Sequence, residues 1–382
     1  MPPTRTHVRL LLLTLLLAIA LAWPLPQPSA AAPAEAISTL FPGNLAHETT
    51  DPGPADALFT TLAAQAASTI DVALYDFDRA SVREALLAAA SRGLTVRVVG
   101  DNEAAANPSY APSYTALQAA GIPVVLDTRS SLQHNKFAVF DDAVTWTGSA
   151  NYSDTGFTRN GENVVVITST LVAGIYATEF AEMFAGAFST AKTDNTPHEV
   201  LVGTMPVSVA FAPTDGTEDR VVAALNSADV SLRVAMFTFT SGPLAQALIA
   251  AHDRGVGVEV LLDDTADGSQ YSQRDPLCEA GVTVRVEDWP AKLHDKYAVV
   301  DGGTASDPLV ITGSANWTAS AARANDENVL IVHDAGTAAA FRDDFQRLRA
   351  AIGPEAFACN VETGFTVYVP VLVRDGAPPA GG

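Results

Sequence analysis

A histidine and a lysine two residues apart occur twice in this 382-residue chain. His134-Asn135-Lys136 opens a string that runs through Asp141 and Gly148-Ser149-Ala150-Asn151 to Glu162. His294-Asp295-Lys296 opens a second, through Asp301 and Gly313-Ser314-Ala315-Asn316 to Glu327. Each string offers an imidazole, a fixed cation, a hydroxyl, a carboxamide and a carboxylate, a set that suits a phosphodiester. Lysine and asparagine hold the non-bridging oxygens and stabilise charge growing on a pentavalent phosphorus. One imidazole attacks phosphorus and forms a covalent phosphohistidine. The other protonates the leaving oxygen and then activates water. Two opposite tasks for histidine explain why the string appears twice. Glu162 and Glu327 are candidates to accept an imidazole Nδ1–H and so fix its tautomer. The lysines supply the positive charge, so the scheme calls for no metal and no cofactor.

The duplication reaches beyond the strings. Residues 92–99 match 254–261, residues 121–124 match 281–284, and residues 72–77 match 234–239. A period of about 160 residues is too long for a solenoid and reads as two copies of a whole domain. Within each copy, strand and helix patterns alternate. Residues 57–67, 82–90 and 171–188 carry helical apolar stripes, and 70–75, 95–99, 123–126, 144–147 and 164–168 read as strands. Residues 136–140 alternate, with Phe137 and Val139 opposite Lys136 and Ala138, so His134 and Lys136 share a face. The second copy repeats this order: helices at 220–226, 244–252 and 338–352, strands at 230–239, 256–262, 282–286, 296–300, 309–312 and 328–332. Such alternation predicts an α/β sandwich.

The doubled H-x-K-x4-D…G-S-x-N string resembles the phospholipase D superfamily of phosphodiesterases, and the likeness covers roughly residues 38–352. The resemblance implies an α/β fold of two tandem α-β-α sandwich repeats, related by a pseudo-two-fold axis, with one shared active site. It implies catalytic histidines at His134 and His294, with Lys136, Asn151, Lys296 and Asn316 on phosphate. Family habit makes His134 the nucleophile and His294 the acid/base. The hydroxyls of Ser149 and Ser314 are expected to bind substrate, and Asp141 and Asp301 to be structural. The expected boundaries are a signal peptide at 1–31, repeats at 38–193 and 198–355, and a C-terminal tail at 356–382.

The leader reading rests on Arg5 and Arg9, an apolar run over residues 10–23 that is short for a membrane span, and small residues at 29–31. It implies a secreted protein. Cys278 and Cys359 are the only cysteines; in an exported protein they could pair, and otherwise they are two buried thiols. Residues 365–373 read as an edge strand or an attachment element. The length suits two domains that each bury a core. A net charge of −21 weighs against long nucleic acid as the partner. The expected partner is therefore phospholipid at a membrane surface, met by a monomer. A non-specific endonuclease and a non-catalytic surface-binding protein are the alternatives. Residues 102–114 and 264–276 are read as long loops, whose Tyr110, Tyr114 and Tyr271, with Trp289 and Trp317, either line the cleft mouth or pack the loops. Asp263-Asp264 reads as a solvated strand end.

Overall fold

The computed structural model describes residues 34–45 and 53–361. The leader and the segment 365–373 lie outside the described residues. Among the described residues, no helix is long and apolar enough to cross a membrane.

The chain forms two mixed sheets with one strand order. The first runs β1(Ala36–Leu40), β7(Val164–Thr168), β6(Val144–Gly148), β5(Phe137–Phe140), β2(Thr69–Leu74), β3(Thr95–Gly100), β4(Val124–Leu126). The second runs β9(Met205–Ala212), β15(Glu327–His333), β14(Leu309–Gly313), β13(Lys296–Val300), β10(Ser231–Met236), β11(Gly257–Leu262), β12(Thr283–Val286). It adds one edge strand at each end, β8(Glu199–Val202) beside β9 and β16(Ala358–Cys359) beside β12. β2, β3 and β4 pair in parallel, as do β10, β11 and β12. β5 and β13 return antiparallel beside β2 and β10 and bring the lysines to the sheet centres.

Period-two patterning sorts side chains to the two faces of each sheet. In the first sheet, Ile70, Val72, Leu74, Ala138 and Phe140 face outward, under α1(Pro54–Gln65), α2(Ala80–Ser91) and α4(Ala111–Ala119). Ala73, Phe137, Val139, Val165 and Ile167 face inward. The second sheet packs its outer face against α7(Thr217–Asn226), α8(Gly242–Asp253) and α10(Arg274–Glu279). The inner faces of both sheets share one core, filled by α6(Thr170–Phe184) and α12(Ala335–Ala351). α6 touches β2, β5, β6 and β7 and also β8 and β9; α12 touches β10, β13 and β14 and also β1. The expectation of two domains that each bury their own core therefore needs correction. Each repeat has a private outer core, and the inner core belongs to both.

The regular strands and helices fall where the patterning put them, with ends shifted by a few residues. Three departures have local causes. The supposed loops contain short helices: α3(Asn102–Ala106) and α4 in one, α9(Asp264–Asp267) and α10 in the other. Asp101 and Asp263 start α3 and α9 by accepting the N–H groups of Ala104 and Ala266. β1 and the β8–β9 hairpin cover the outer edges of β7 and β15, leaving no long strand unpaired there. Residues 358–359, placed in the tail, form β16, and Cys278 and Cys359 are joined in a disulfide with Cα atoms 5.9 Å apart.

Asp141 and Asp301 act as turn clamps. Both take a left-handed backbone, with φ of 53° and 51°. The Asp301 carboxylate accepts the N–H groups of Asp229, Val230 and Ser231 at 2.8–3.0 Å, and Asp141 accepts those of Ala67, Ser68 and Thr69 at 2.7–2.9 Å. Burial alone would raise the Asp301 carboxyl; the N–H groups of Ser231, Asp229 and Val230 outweigh it and hold it low. Asp301→Ala strips three donors at once and is expected to lower unfolding free energy by roughly 2–3 kcal/mol, read by urea titration. A change below about 0.5 kcal/mol would mean that water serves the turn equally well.

Candidate active site

Each histidine stands just before the inner β-strand of its repeat, on a short segment tied to the other repeat. His134 N–H donates to Asp326 O at 2.9 Å, and Asp326 N–H to Leu132 O at 2.8 Å. The mirror pair is His294 N–H to Gly161 O at 2.9 Å and Gly161 N–H to Lys292 O at 2.8 Å. Two buried carboxylates steady the same segments: Asp101 accepts Gln133 N–H, and Asp263 accepts Leu293 N–H. Asp263 is thus fully buried rather than a solvated strand end.

The side chains cross as well. His134 Nδ1 lies 2.9 Å from Glu327 Oε2, and His294 Nδ1 lies 2.8 Å from Glu162 Oε1. Each glutamate serves the histidine of the opposite repeat. A neutral imidazole that donates Nδ1–H to its glutamate leaves Nε2 as a lone pair for chemistry. Tyr75 and Phe237 set their rings against His134 and His294, each at 4.7 Å between centroids.

Behind the glutamates stands a second crossed layer. Ser149 Oγ donates to Glu162 at 2.6 Å, and Ser314 Oγ to Glu327 at 2.7 Å. Both hydroxyls also accept the backbone N–H of Asn163 or Asn328. The serines are fully buried, and their expected contact with substrate is corrected to a positioning role. Asn163 then donates across the junction to Asp295, and Asn328 to Asn135. Gly148 and Gly313 make the layer possible. Their φ values are 136° and 131°, and a Cβ there would lie 2.3 or 2.2 Å from the carbonyl of Asn163 or Asn328.

Lys136 and Lys296 are buried beside the histidines, with Nζ donating to His134 O and His294 O at 2.6 and 2.5 Å. Their ammonium groups sit over the rings of Tyr75 and Phe237. Burial pushes the Lys136 ammonium down to about 7 and that of Lys296 to about 8, against the pull of nearby glutamates. Burial also lowers both imidazoles, His134 partly rescued by Glu327 and His294 pushed further by Lys296 and Lys136. Burial holds Glu162 well above the usual carboxylate range. Each lysine has acidic neighbours, yet burial outweighs them, an imbalance that a bound phosphate group relieves.

That imbalance has a measurable sign. The lysines are cationic below these values and neutral above them. Tungstate binding needs the cations but no proton transfer. Its affinity is expected to hold below pH 7 and to fall as pH rises through 7 and 8, by up to about tenfold per pH unit for each lysine. Calorimetry in buffers of different ionisation heat checks this through proton uptake; constant affinity from pH 6 to 10 would contradict it.

Asn151 and Asn316 complete the expected set. Among the described residues, each side-chain Oδ1 is buried without a hydrogen-bond partner. Asn151 Nδ2 donates to Asp76 at 3.1 Å. Asp76 was not among the expected site residues. Its carboxyl is raised by burial against the pull of Lys136, and Tyr110 stands beside it. The second repeat has Thr238 there, and that mismatch in an otherwise matched strand was the available signal. Of the aromatics, Tyr110 alone reaches this group. Tyr114 is buried with its hydroxyl on Tyr75 O, Trp289 packs on the inner core, Trp317 stacks edge-on against Phe239, and Tyr271 is exposed.

Comparison with known proteins agrees with this geometry. The family described as "Cardiolipin synthase, PLD-like domain" matches twice, at residues 59–184 and 221–349. A mitochondrial cardiolipin hydrolase of Xenopus tropicalis is 38% identical over 158 residues, 41% of this chain and 73% of that protein. The human mitochondrial cardiolipin hydrolase is 36% identical over 138 residues, 36% of this chain and 53% of its own length. The chain therefore spans about half to three quarters of these relatives. Phosphatidylserine synthase of Haemophilus influenzae shares the fold over 86% of this chain and 88% of its own, with a TM-score of 0.60 at 15% identity. Both repeats, each with its complete motif, place this chain in the phospholipase D superfamily of phosphodiesterases.

Proposed function

We propose that the protein hydrolyses phospholipids to phosphatidate and a free alcohol through a covalent phosphohistidine. The observation that carries this reading is the pair of crossed His–Glu contacts, with both lysines buried in the same centre. In the first step His134, neutral, attacks phosphorus through Nε2, the bond to the head-group oxygen breaks, and His294, which enters the step as an imidazolium held by Glu162, gives that oxygen its Nε2 proton. In the second, His294 takes a proton from water, the water oxygen attacks phosphorus, and the phosphorus–nitrogen bond breaks. Lys136, Lys296 and the carboxamides of Asn151 and Asn316 hold the non-bridging oxygens and offset the charge that grows on them. Glu162 and Glu327 stabilise whichever imidazole becomes cationic.

Lipid is preferred over nucleic acid on electrostatic grounds. The chain carries −21, and Asp76 adds a carboxylate beside the phosphate-binding groups. Successive phosphates of a polynucleotide would meet that field, whereas a head group bearing hydroxyls or an ammonium is compatible with it. The named activity of the cardiolipin hydrolases points the same way. Export belongs to this reading, and the Cys278–Cys359 bond fits an oxidising compartment.

The test is parallel turnover, with EDTA present, of phosphatidylcholine vesicles, cardiolipin vesicles and supercoiled plasmid. Release of head alcohol with intact plasmid supports the reading. Plasmid nicking without lipid turnover moves the substrate to nucleic acid, and inactivity on all three favours a binding protein.

A further inference from the structure

The inner face of the second sheet carries a group of arginines that its counterpart in the first repeat lacks. Arg233 on β10, Glu259 on β11 and Arg285 on β12 share that face with Ala235 and Leu261, at the end of the sheet away from Lys296. Arg349 reaches them from α12, its Nε 2.8 Å from Glu259 Oε1. Strand pairing and the matched helices set these four against Asp71, Arg97, Val125 and Phe184 of the first repeat. There one arginine meets one carboxylate. Arg97 donates twice to Asp71, at 2.7 and 2.6 Å, and lies over the rings of Phe180 and Phe184. In the second repeat arginine replaces both the valine and the phenylalanine, and three guanidinium groups share one glutamate.

These side chains border a cavity of about 340 Å³, within the size range of ligand pockets, whose lining includes no residue of the reacting centre. Gly255, Gly257 and Gly281 put no side chain into it. One wall is the segment at Asn360, whose Nδ2 donates to Cys278 O and Val282 O beside the Cys278–Cys359 bond. Glu259 Oε1 faces the Nε of both Arg285 and Arg349, and Arg233 commits Nη1 to the carbonyls of Leu232 and Gly257. Among the described residues, the Nη groups of Arg285 and Arg349 and Nη2 of Arg233 have no hydrogen-bond partner. Burial lowers the Arg233 guanidinium, Glu259 pulls it back up, and Arg349 pushes it down again. The chain carries −21 overall, yet here three like charges gather round one opening and repel each other until an anion joins them.

We propose that this cavity is a second anion site, which binds a phosphate monoester, either on a soluble molecule or as the head group of an anionic lipid. Planar guanidinium forks match phosphate oxygens in pairs, and a tetrahedral group with three terminal oxygens can meet forks arriving from three directions, which a planar carboxylate cannot. The volume leaves room for an ester substituent beside the phosphate. The site requires neither the reacting histidines nor the phospholipid reading.

Arg285→Val and Arg349→Phe, made together, restore the first repeat's residues. Calorimetric titration with glycerol 3-phosphate should then show one site fewer per chain than in the unmodified protein, because the reacting centre keeps its own phosphate site. Unchanged stoichiometry and affinity, with turnover of bis(p-nitrophenyl) phosphate retained, overturns the proposal. A double variant without that turnover has lost its fold, and the unmodified protein decides by phenylglyoxal labelling read by mass spectrometry. Glycerol 3-phosphate at about ten times its Kd should slow labelling of Arg285 and Arg349 about tenfold, since protection follows occupancy. Arg323 should stay reactive, its side chain being 70% exposed at the end of α11(Ala319–Arg323), the counterpart of α5(Asp154–Thr158). Phosphatidylcholine vesicles with and without phosphatidate distinguish the sources. Protection by phosphatidate assigns the site to a lipid head group, protection by glycerol 3-phosphate alone assigns it to a soluble monoester, and protection by neither overturns the proposal.

Discussion

His134→Asn and His294→Asn should each lower steady-state turnover of any phosphodiester by about a thousandfold or more, yet leave different first turnovers. With bis(p-nitrophenyl) phosphate the leaving group needs no proton. The His294→Asn enzyme should therefore still transfer phosphorus to His134 and release one p-nitrophenol per site, then stall because nothing activates water. The His134→Asn enzyme lacks the attacking nitrogen and should show no burst. Rapid-mixing absorbance at the millisecond scale, with acid-labile phosphate on the denatured protein, reads both. A burst in His134→Asn alone would exchange the two roles. A burst in neither, with steady turnover intact, would remove covalent catalysis altogether.

The crossed glutamates yield the second large effect, one that no reading of either motif alone would make. Glu327 contacts His134 and Glu162 contacts His294. Glu327→Gln should therefore behave like a change at His134, and Glu162→Gln like a change at His294. An amide in place of the carboxylate cannot stabilise imidazolium and can favour the wrong tautomer, losses worth up to about ten-thousandfold in comparable triads. The expected pattern is a slow or missing burst in Glu327→Gln, and a normal burst with stalled turnover in Glu162→Gln. Pairing within each repeat instead would reverse it. The glutamates are positioning residues, so an altered pH profile for the burst separates this role from a loss of fold. Serine variants behind them, Ser149→Ala and Ser314→Ala, should follow the same crossing with smaller losses, since each removes one neutral hydrogen bond to a glutamate.

Much of this protein is legible in its sequence because the relevant signals are local. Period-two and helical patterning located β2, β5, β13 and the long helices, since burial on one face is imposed residue by residue. The repeat of His134–Glu162 in His294–Glu327 declared two half-sites. Other features depend on residues far apart in the chain. The glutamates cross between repeats because the segments bearing the histidines pair with Gly161 and Asp326 of the opposite half, about 130 to 190 residues away. The serines look like substrate ligands in a motif, and only packing turns their hydroxyls toward Glu162 and Glu327. The inner core around α6 and α12 looks in sequence like two private cores, because a helical stripe names no partner. Asp76 was present as a departure between the repeats, but a departure acquires chemical meaning only from what stands beside it. The sequence by itself determined the repeated half-site and the order of elements. Tertiary structure decided which carboxylate serves which imidazole, which polar groups remain available for phosphate, and how the two halves came to differ, because long-range packing, not local periodicity, sets those contacts.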